Sequence, residues 1–171
     1  MLGICSGELV VTIALGHKIE VLGHRRNQGR SQGAFARAEG VANFSLLCAN
    51  KTIPEALAFL GSQERFAVDR LLCPGHVSVI IGTEPYEPLA AAGIGCVVSG
   101  FEPIDILHAV ALLLEQLAED KPRVHNAYAR IVRAEGNARA RQVLAETFEP
   151  CDARWRGVGT VPGSGRRTAR R

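Results

Sequence analysis

The stretch from Pro74 to Asp105, PGHVSVIIGTEPYEPLAAAGIGCVVSGFEPID, constrains the fold more than any other part of the chain, because it reads as two consecutive strand-to-helix units. His76 to Ile81 is a largely apolar run that suits a strand covered on both faces, and it leads into Gly82-Thr83-Glu84-Pro85. Cys96 to Ser99 leads in the same way into Gly100-Phe101-Glu102-Pro103. Glu84 and Glu102 are therefore expected at the same topological place, each opening a helix.

The flanking sequence continues the alternation. Asn43 to Cys48 reads as a strand, and Thr52, Pro54 and Glu55 carry the spacing of a capping box at the start of a helix that runs to Leu60 and stops at Gly61. A strand is expected around Val68 to Leu72. The helix from Pro103 to about Glu119 sets Ile106, Leu107, Val110, Leu113, Leu114 and Leu117 on one stripe, which is expected to pack on the sheet. Helices are expected over Pro122 to Glu135 and Asn137 to Phe148, divided by Gly136, with Pro150 breaking the pattern. Such alternation predicts an α/β fold: a mostly parallel, doubly wound, Rossmann-like sheet lobe with C-terminal helices and irregular ends.

With 171 residues at 47% hydrophobic, the chain suffices for one ordinary domain with a single core. The expected layout is a poorly ordered, non-homologous segment over 1–33, in which HRRNQGRSQG has no period; an α/β lobe over 34–150, opened by a short helix AFARAEG that Gly40 ends; and an irregular Arg- and Gly-rich tail over 151–171. The net charge of +3 belongs to that tail: residues 154–171 carry six arginines and no acid, so the rest of the chain stands at −3.

The five cysteines, Cys5, Cys48, Cys73, Cys96 and Cys151, include no CxxC pair, which implies buried thiols in a reducing cytoplasm rather than a metal knuckle or a disulfide framework. Leu9 to Leu15 is too short to span a bilayer and has no basic residues before it, so no membrane anchor or secretory signal is expected. Nothing near Ser78 has the GxSxG shape of a nucleophile elbow, and GxGxxG and GxxxxGK[ST] are missing, which leaves a serine hydrolase or a nucleotide enzyme without positive support.

Ligand crevices in open α/β sheets lie at the carboxyl ends of the strands. Candidates there are His76, Ser78, Gly82, Glu84, Gly100, Phe101, Glu102 and Asp105. The glycines permit close backbone approach. The plain reading of the glutamates is that they complement helix dipoles; the functional reading is a small polar crevice lined by Glu84, Glu102, His76 and Ser78.

NFSLLCANKTIPEAL, CPGHVSVIIGTEPYEPLA, CVVSGFEPIDIL, NAYARIVRAEGNARA and DARWRGVGTVPGSG together resemble the middle of the hydrogenase formation protein HypD family, over about residues 34 to 165. The resemblance implies a cytoplasmic scaffold for nickel–iron hydrogenase maturation, on which an iron centre with cyanide and carbonyl ligands is assembled, rather than a turnover enzyme. It implies as partners a small maturation chaperone and the cyanide-donating maturation protein, and as cofactors iron and a [4Fe–4S] cluster. By motif, His76 and Ser78 correspond to HVS, and Gly100, Phe101, Glu102 and Asp105 to GFEP at a central cleft.

The family's CGGHT, GPGCPVC and GFETT motifs have no counterpart in the sequence, and after Gly165 it departs into RRTARR. The chain thus reads as an incomplete member, without a metal-ligand set of its own and with no cofactor expected to bind it alone. Residues 43–48 and 68–81 are then expected to have exposed strand edges that promote self-association. Beside this reading stand a non-functional fragment and two functions of other classes. One is a small-molecule enzyme using Glu84, Glu102 and His76 for acid–base work; the other is a nucleic-acid contact by the arginine-rich end, which lacks any aromatic platform.

Overall fold

The computed structural model describes residues 3–5, 8–14, 40 and 44–169, with side chains from 48 to 169 and at 40. HRRNQGRSQG and the expected helix before Gly40 lie outside the described residues. The chain divides into two compact units, Met1–Glu55 with Gln142–Arg171, and Ala56–Arg141.

In the first unit, β1 (Gly3–Cys5), β2 (Glu8–Ala14) and β3 (Phe44–Ala49) form an antiparallel sheet in that order, with Val11 opposite Leu47. The strand expected from Asn43 to Cys48 is therefore present, shifted by one residue. The tail expected to be irregular is instead a hairpin of β7 (Phe148–Trp155) and β8 (Gly159–Thr168), with a register shift between Cys151 and Ala153. Its burial alternates along β7, a pattern that the many Arg and Gly residues conceal from a reading of hydrophobicity. Trp155 Nε1 donates to Ser164 Oγ at 2.8 Å, and the Lys51 ammonium lies 5.1 Å from the Trp155 ring centroid. Among the described tail arginines, Arg166 pairs with Glu55 and Arg167 with Glu149. Helix α1 (Ile53–Gly61) matches its expected span, yet the capping box does not form. Thr52 Oγ1 is buried without a partner, and Glu55 turns to Arg166.

The second unit carries the α/β fold. Strands β4 (Arg70–Pro74), β5 (Gly95–Ser99) and β6 (Val124–Asn126) form a parallel sheet in that order. Every residue of the central β5 is buried. One face packs Cys73, Cys96 and Val98 against Tyr86, Leu89 and Val132; the other sets Val97 against Ala109 and Leu112. Helices thus cover both faces, the arrangement that parallel strands require.

The second unit differs from expectation in four places. The segment expected as the strand HVSVII is helix α2 (Gly75–Ile81), followed by a 3₁₀ turn over Glu84–Tyr86 and α3 (Glu87–Ala91). A short apolar run is ambiguous by period, and the parallel pairing of β4 with β5 demands a helical crossover that overrides the β-propensity of Val and Ile. The strand expected at Val68–Leu72 accordingly lies two residues later, as β4.

Helix α4 (Pro103–Ala118) forms as expected, but it does not pack its aliphatic stripe on the sheet. Asp105, Ala109, Leu112 and Gln116 face inward, while Ile106, Leu107, Val110, Leu114 and Leu117 are exposed. Polar anchors set this phase: Arg130 holds Asp105, and Gln116 accepts from Arg70 through its carbonyl and from the Arg123 N–H through Oε1. The expected helix over Pro122–Glu135 is β6 and a run of turns, because a third parallel strand pairs Val97 with His125. The last helix, α5 (Ala138–Thr147), is as expected, and Asn137 Oδ1 caps it by accepting from Ala140 N–H. Among the described residues no helix is long and apolar enough to cross a membrane.

Candidate functional site

The carboxyl ends of the three parallel strands bring together four of the residues that the sequence singled out, His76, Gly100, Phe101 and Asp105, and two that it did not, Tyr128 and Arg130. Pro74 and Ser99 are register partners at the ends of β4 and β5. Pro74 is extended at φ −74° and ψ 119°, and the chain turns directly into α2 at Gly75. A Cβ on Gly75 would strike the Ser99 carbonyl oxygen and come within 2.7 Å of Tyr128 Cδ1; one on Gly100 would strike the Asp105 carboxylate and come within 2.8 Å of Tyr128 Cε2. The Tyr128 ring, just beyond β6, is thus wedged against both turns. Its own N–H donates to Asn126 Oδ1 at 3.0 Å, and Asn126 Nδ2 donates to the Val132 carbonyl at 2.9 Å.

These turns set the His76 and Phe101 rings side by side, with centroids 5.1 Å apart and planes tilted by 44°. Phe101 is 59% exposed. Asp105, in the first turn of α4, is buried and receives both prongs of the Arg130 guanidinium, at 2.7 and 2.6 Å. That fork holds the Asp105 carboxyl below the usual carboxylate range, with the Glu102 backbone N–H adding to the effect, and it raises Arg130 in turn. Arg130 also lies over the Tyr128 ring, 4.5 Å from its centroid.

The remaining candidates are elsewhere. Ser78 is fully buried inside α2; its hydroxyl donates to the Pro74 carbonyl at 3.0 Å and meets the Tyr86 hydroxyl at 3.3 Å. It ties the helix to the core. Gly82, at φ +83°, ends α2 against the Ala134 carbonyl, and seven residues of helix put it about 10 Å along the axis from Gly75. Glu84 follows it, exposed, so Glu84 and Glu102 do not occupy the same topological place. The true counterpart of Gly100 is Gly75. Glu102 is exposed at the N-cap of α4 and makes no side-chain cap. The one buried carboxylate of the constellation, Asp105, is held ionised by Arg130, which is the reverse of what the acid–base alternative needs.

Tyr128 and Arg130 were missed as site residues because they follow β6, in a segment read as helix. NAYAR held the signal: an Asn able to cap a turn, with Tyr and Arg two residues apart.

A [4Fe–4S] cluster needs four thiolates or their equivalents. The donor set of the described residues does not fit one: no group of three or more His, Cys, Asp or Glu is placed to hold a metal ion. Cys73 and Cys96 are both buried in the core, and the hydrogen bond between them, with burial added, pushes the Cys73 thiol well above its ordinary value.

A family model described as "HypD: Hydrogenase formation hypA family" matches residues 32–171. The chain belongs to this HypD family. Its match takes in the arginine-rich end as well as the α/β sheet. The chain is 38% identical over 134 residues to the hydrogenase maturation factor HypD of Rhodobacter capsulatus, covering 77% of this chain and 36% of that protein. It is 40% identical over 126 residues to a putative hydrogenase expression/formation protein of Methanocaldococcus jannaschii, covering 73% and 35%. With the HypD of Escherichia coli it shares 39% identity over 134 residues, covering 76% and 35%. The chain therefore spans about a third of the length of the relatives it matches.

Proposed function

We propose that this HypD-family chain acts in the cytoplasm as the α/β lobe of a hydrogenase-maturation scaffold, on which the iron centre with its cyanide and carbonyl ligands is assembled as cargo. The observation that carries this reading is the convergence of three parallel strand ends, where Tyr128 braces Gly75 and Gly100, the His76 and Phe101 rings pack together and Arg130 holds Asp105. Strand carboxyl ends are where α/β sheets bind ligands, and a fixed ion pair keeps such a surface rigid with no proton exchanged near neutral pH. This suits a platform that positions partners better than an acid–base catalyst. A small maturation chaperone and the cyanide-donating maturation protein are the proposed partners. Iron ligands would have to come from thiolates outside the described residues, since those within do not form a set.

The test is complementation in cells that lack their own HypD. A complete relative carries Asn at the position matching Asp105, or Ala at the position matching His76, and nickel–iron hydrogenase activity is measured with the cyanide and carbonyl infrared bands of the purified scaffold. Loss of both signals at unchanged protein level is expected for either variant. Normal maturation in both removes the assignment.

A further inference from the structure

The amino ends of β4 and β5, at the other end of the sheet from Tyr128, bring two buried N–H donors to one place. Arg70 opens β4 and is the register partner of Gly95, the first residue of β5. Gly95 leaves room for two side chains: a Cβ there would strike Gln116 Oε1 and lie 3.0 Å from Arg70 Nε. The Arg70 guanidinium donates to the carbonyls of Asp69, Gly93 and Gln116, at 2.7, 3.4 and 2.9 Å, and no carboxylate pairs with it among the described residues. Gln116 is fully buried, and its amide cannot turn over without loss, because Oε1 accepts from the Arg123 N–H. Two donors are left, Arg70 Nε and Gln116 Nε2, both shielded from solvent and without a partner among the described residues. Buried donors without an acceptor are costly.

We propose that Arg70 and Gln116 hold a halide ion, chloride in ordinary buffers, at this end of the sheet. An anion is called for because the guanidinium carries a charge that no carboxylate offsets, and because both unpaired groups are donors. A water molecule fits less well, since it brings two hydrogens of its own. The Asp69 carbonyl already accepts from Gly95 and Arg70, and the Gln116 carbonyl from Arg70 and Lys121, which uses both lone pairs of each. Phosphate or sulfate would bring several oxygens and a second charge, more than two donors can satisfy out of water. A halide asks only for donors and carries a single charge. Bound there, it ties β4 and β5 to α4 and stabilises the folded unit in proportion to its occupancy. The inference stands independently of the maturation role.

Chlorine NMR of the full chain tests it. The protein is expected to broaden the chloride resonance of the buffer, and bromide to reverse the broadening by competition. Gln116→Glu sets a carboxylate oxygen in place of Nε2 while keeping Oε1 for the Arg123 N–H, so the chain then supplies its own anion and the broadening should be lost. The unfolding midpoint of that variant should not respond when chloride replaces gluconate at constant ionic strength, whereas the midpoint of the unaltered chain should rise and saturate. Should Gln116→Glu fail to fold, a crystal of the unaltered chain grown in bromide decides: anomalous density is expected within hydrogen-bond reach of both Arg70 Nε and Gln116 Nε2. Density confined to exposed arginines such as Arg156 would mean an adventitious ion only and overturns the inference, as does broadening that persists undiminished in Gln116→Glu. An unaltered chain that leaves the chloride resonance unbroadened overturns it as well, and assigns the two donors to water.

Discussion

Asp105 and Arg130 are 25 residues apart in sequence and joined by two parallel hydrogen bonds, with the carboxylate 5% exposed and the guanidinium 53% exposed. The ion pair links the first turn of α4 to the segment after β6, so it holds two strand ends in one arrangement. It is also the clearest source of pH dependence in the unit.

Because the folded state depresses the Asp105 pKa, the pair contributes stability in full above the unfolded value of about 4 and loses it as pH falls through the depressed folded value. Asp105→Asn is accordingly expected to lower the unfolding midpoint at neutral pH. The difference between variant and parent should shrink as pH falls below about 4, where the parent's carboxylate also becomes neutral. Urea unfolding from pH 7 to pH 3 measures this. A difference that stays constant across the range would show that the carboxylate's charge is not what matters.

The close turns predict a steric cost. Gly75→Ala and Gly100→Ala each place a methyl against the Ser99 carbonyl or the Asp105 carboxylate, neither of which can move without breaking the sheet register or the ion pair. Overpacking of this kind costs about 1–3 kcal/mol. Gly61→Ala is the contrast: its added Cβ meets only side-chain tips of Ile94 and Leu89, at 3.0 and 3.4 Å, and these can rotate away. Thermal melts of the three variants should rank accordingly, and a Gly61 variant as unstable as the others would sink the argument.

The sequence made the α/β class legible because strands and helices do alternate through the middle of the chain, and β5, α1, α4 and α5 appear where periodicity and caps place them. It concealed α2, since HVSVII is too short and too β-branched to declare itself; only the pairing of β4 with β5 makes it a crossover helix. That single exchange moved Gly82 and Glu84 away from the site and put Gly75 in their place. The phase of α4 was hidden for a different reason. Aliphatic residues occupy nearly its whole circumference, so hydrophobicity could not choose the inward face, and long-range partners of Asp105 and Gln116 chose it. Of the site, His76, Phe101 and Asp105 were legible from motif, whereas Tyr128 and Arg130 depend on a third strand that three residues define.

The core thiols should be chemically quiet. Cys73 is 1% exposed and Cys96 fully buried, and the Cys73 thiol is held protonated, whereas attack on an alkylating agent requires an exposed thiolate. Brief treatment of the native protein with iodoacetamide, followed by peptide mass spectrometry, is expected to modify Cys151 before either of them. Denaturant should make them equal. Rapid native labelling of Cys73 would mean that β4 opens readily.

Ser78 separates a residue of the core from a residue of the site, although its HVS motif groups it with His76. Its hydroxyl is the partner of the Tyr86 hydroxyl, whose pKa burial pushes up to about 12 while the Ser78 hydrogen bond pulls it down. Removing that bond with Ser78→Ala should raise the Tyr86 value further, because the phenolate loses its donor. Absorbance titration at high pH in a Tyr128→Phe background, which leaves Tyr86 as the only tyrosine of the chain, reads the shift directly. The same substitution should cost about 1 kcal/mol of stability by leaving the Tyr86 hydroxyl unpaired, and Tyr86→Phe added to it should recover part of that loss. A Ser78→Ala protein with unchanged stability and an unchanged Tyr86 titration would show that the hydroxyl does not hold α2 to the core, and would return Ser78 to the list of residues acting at the strand ends.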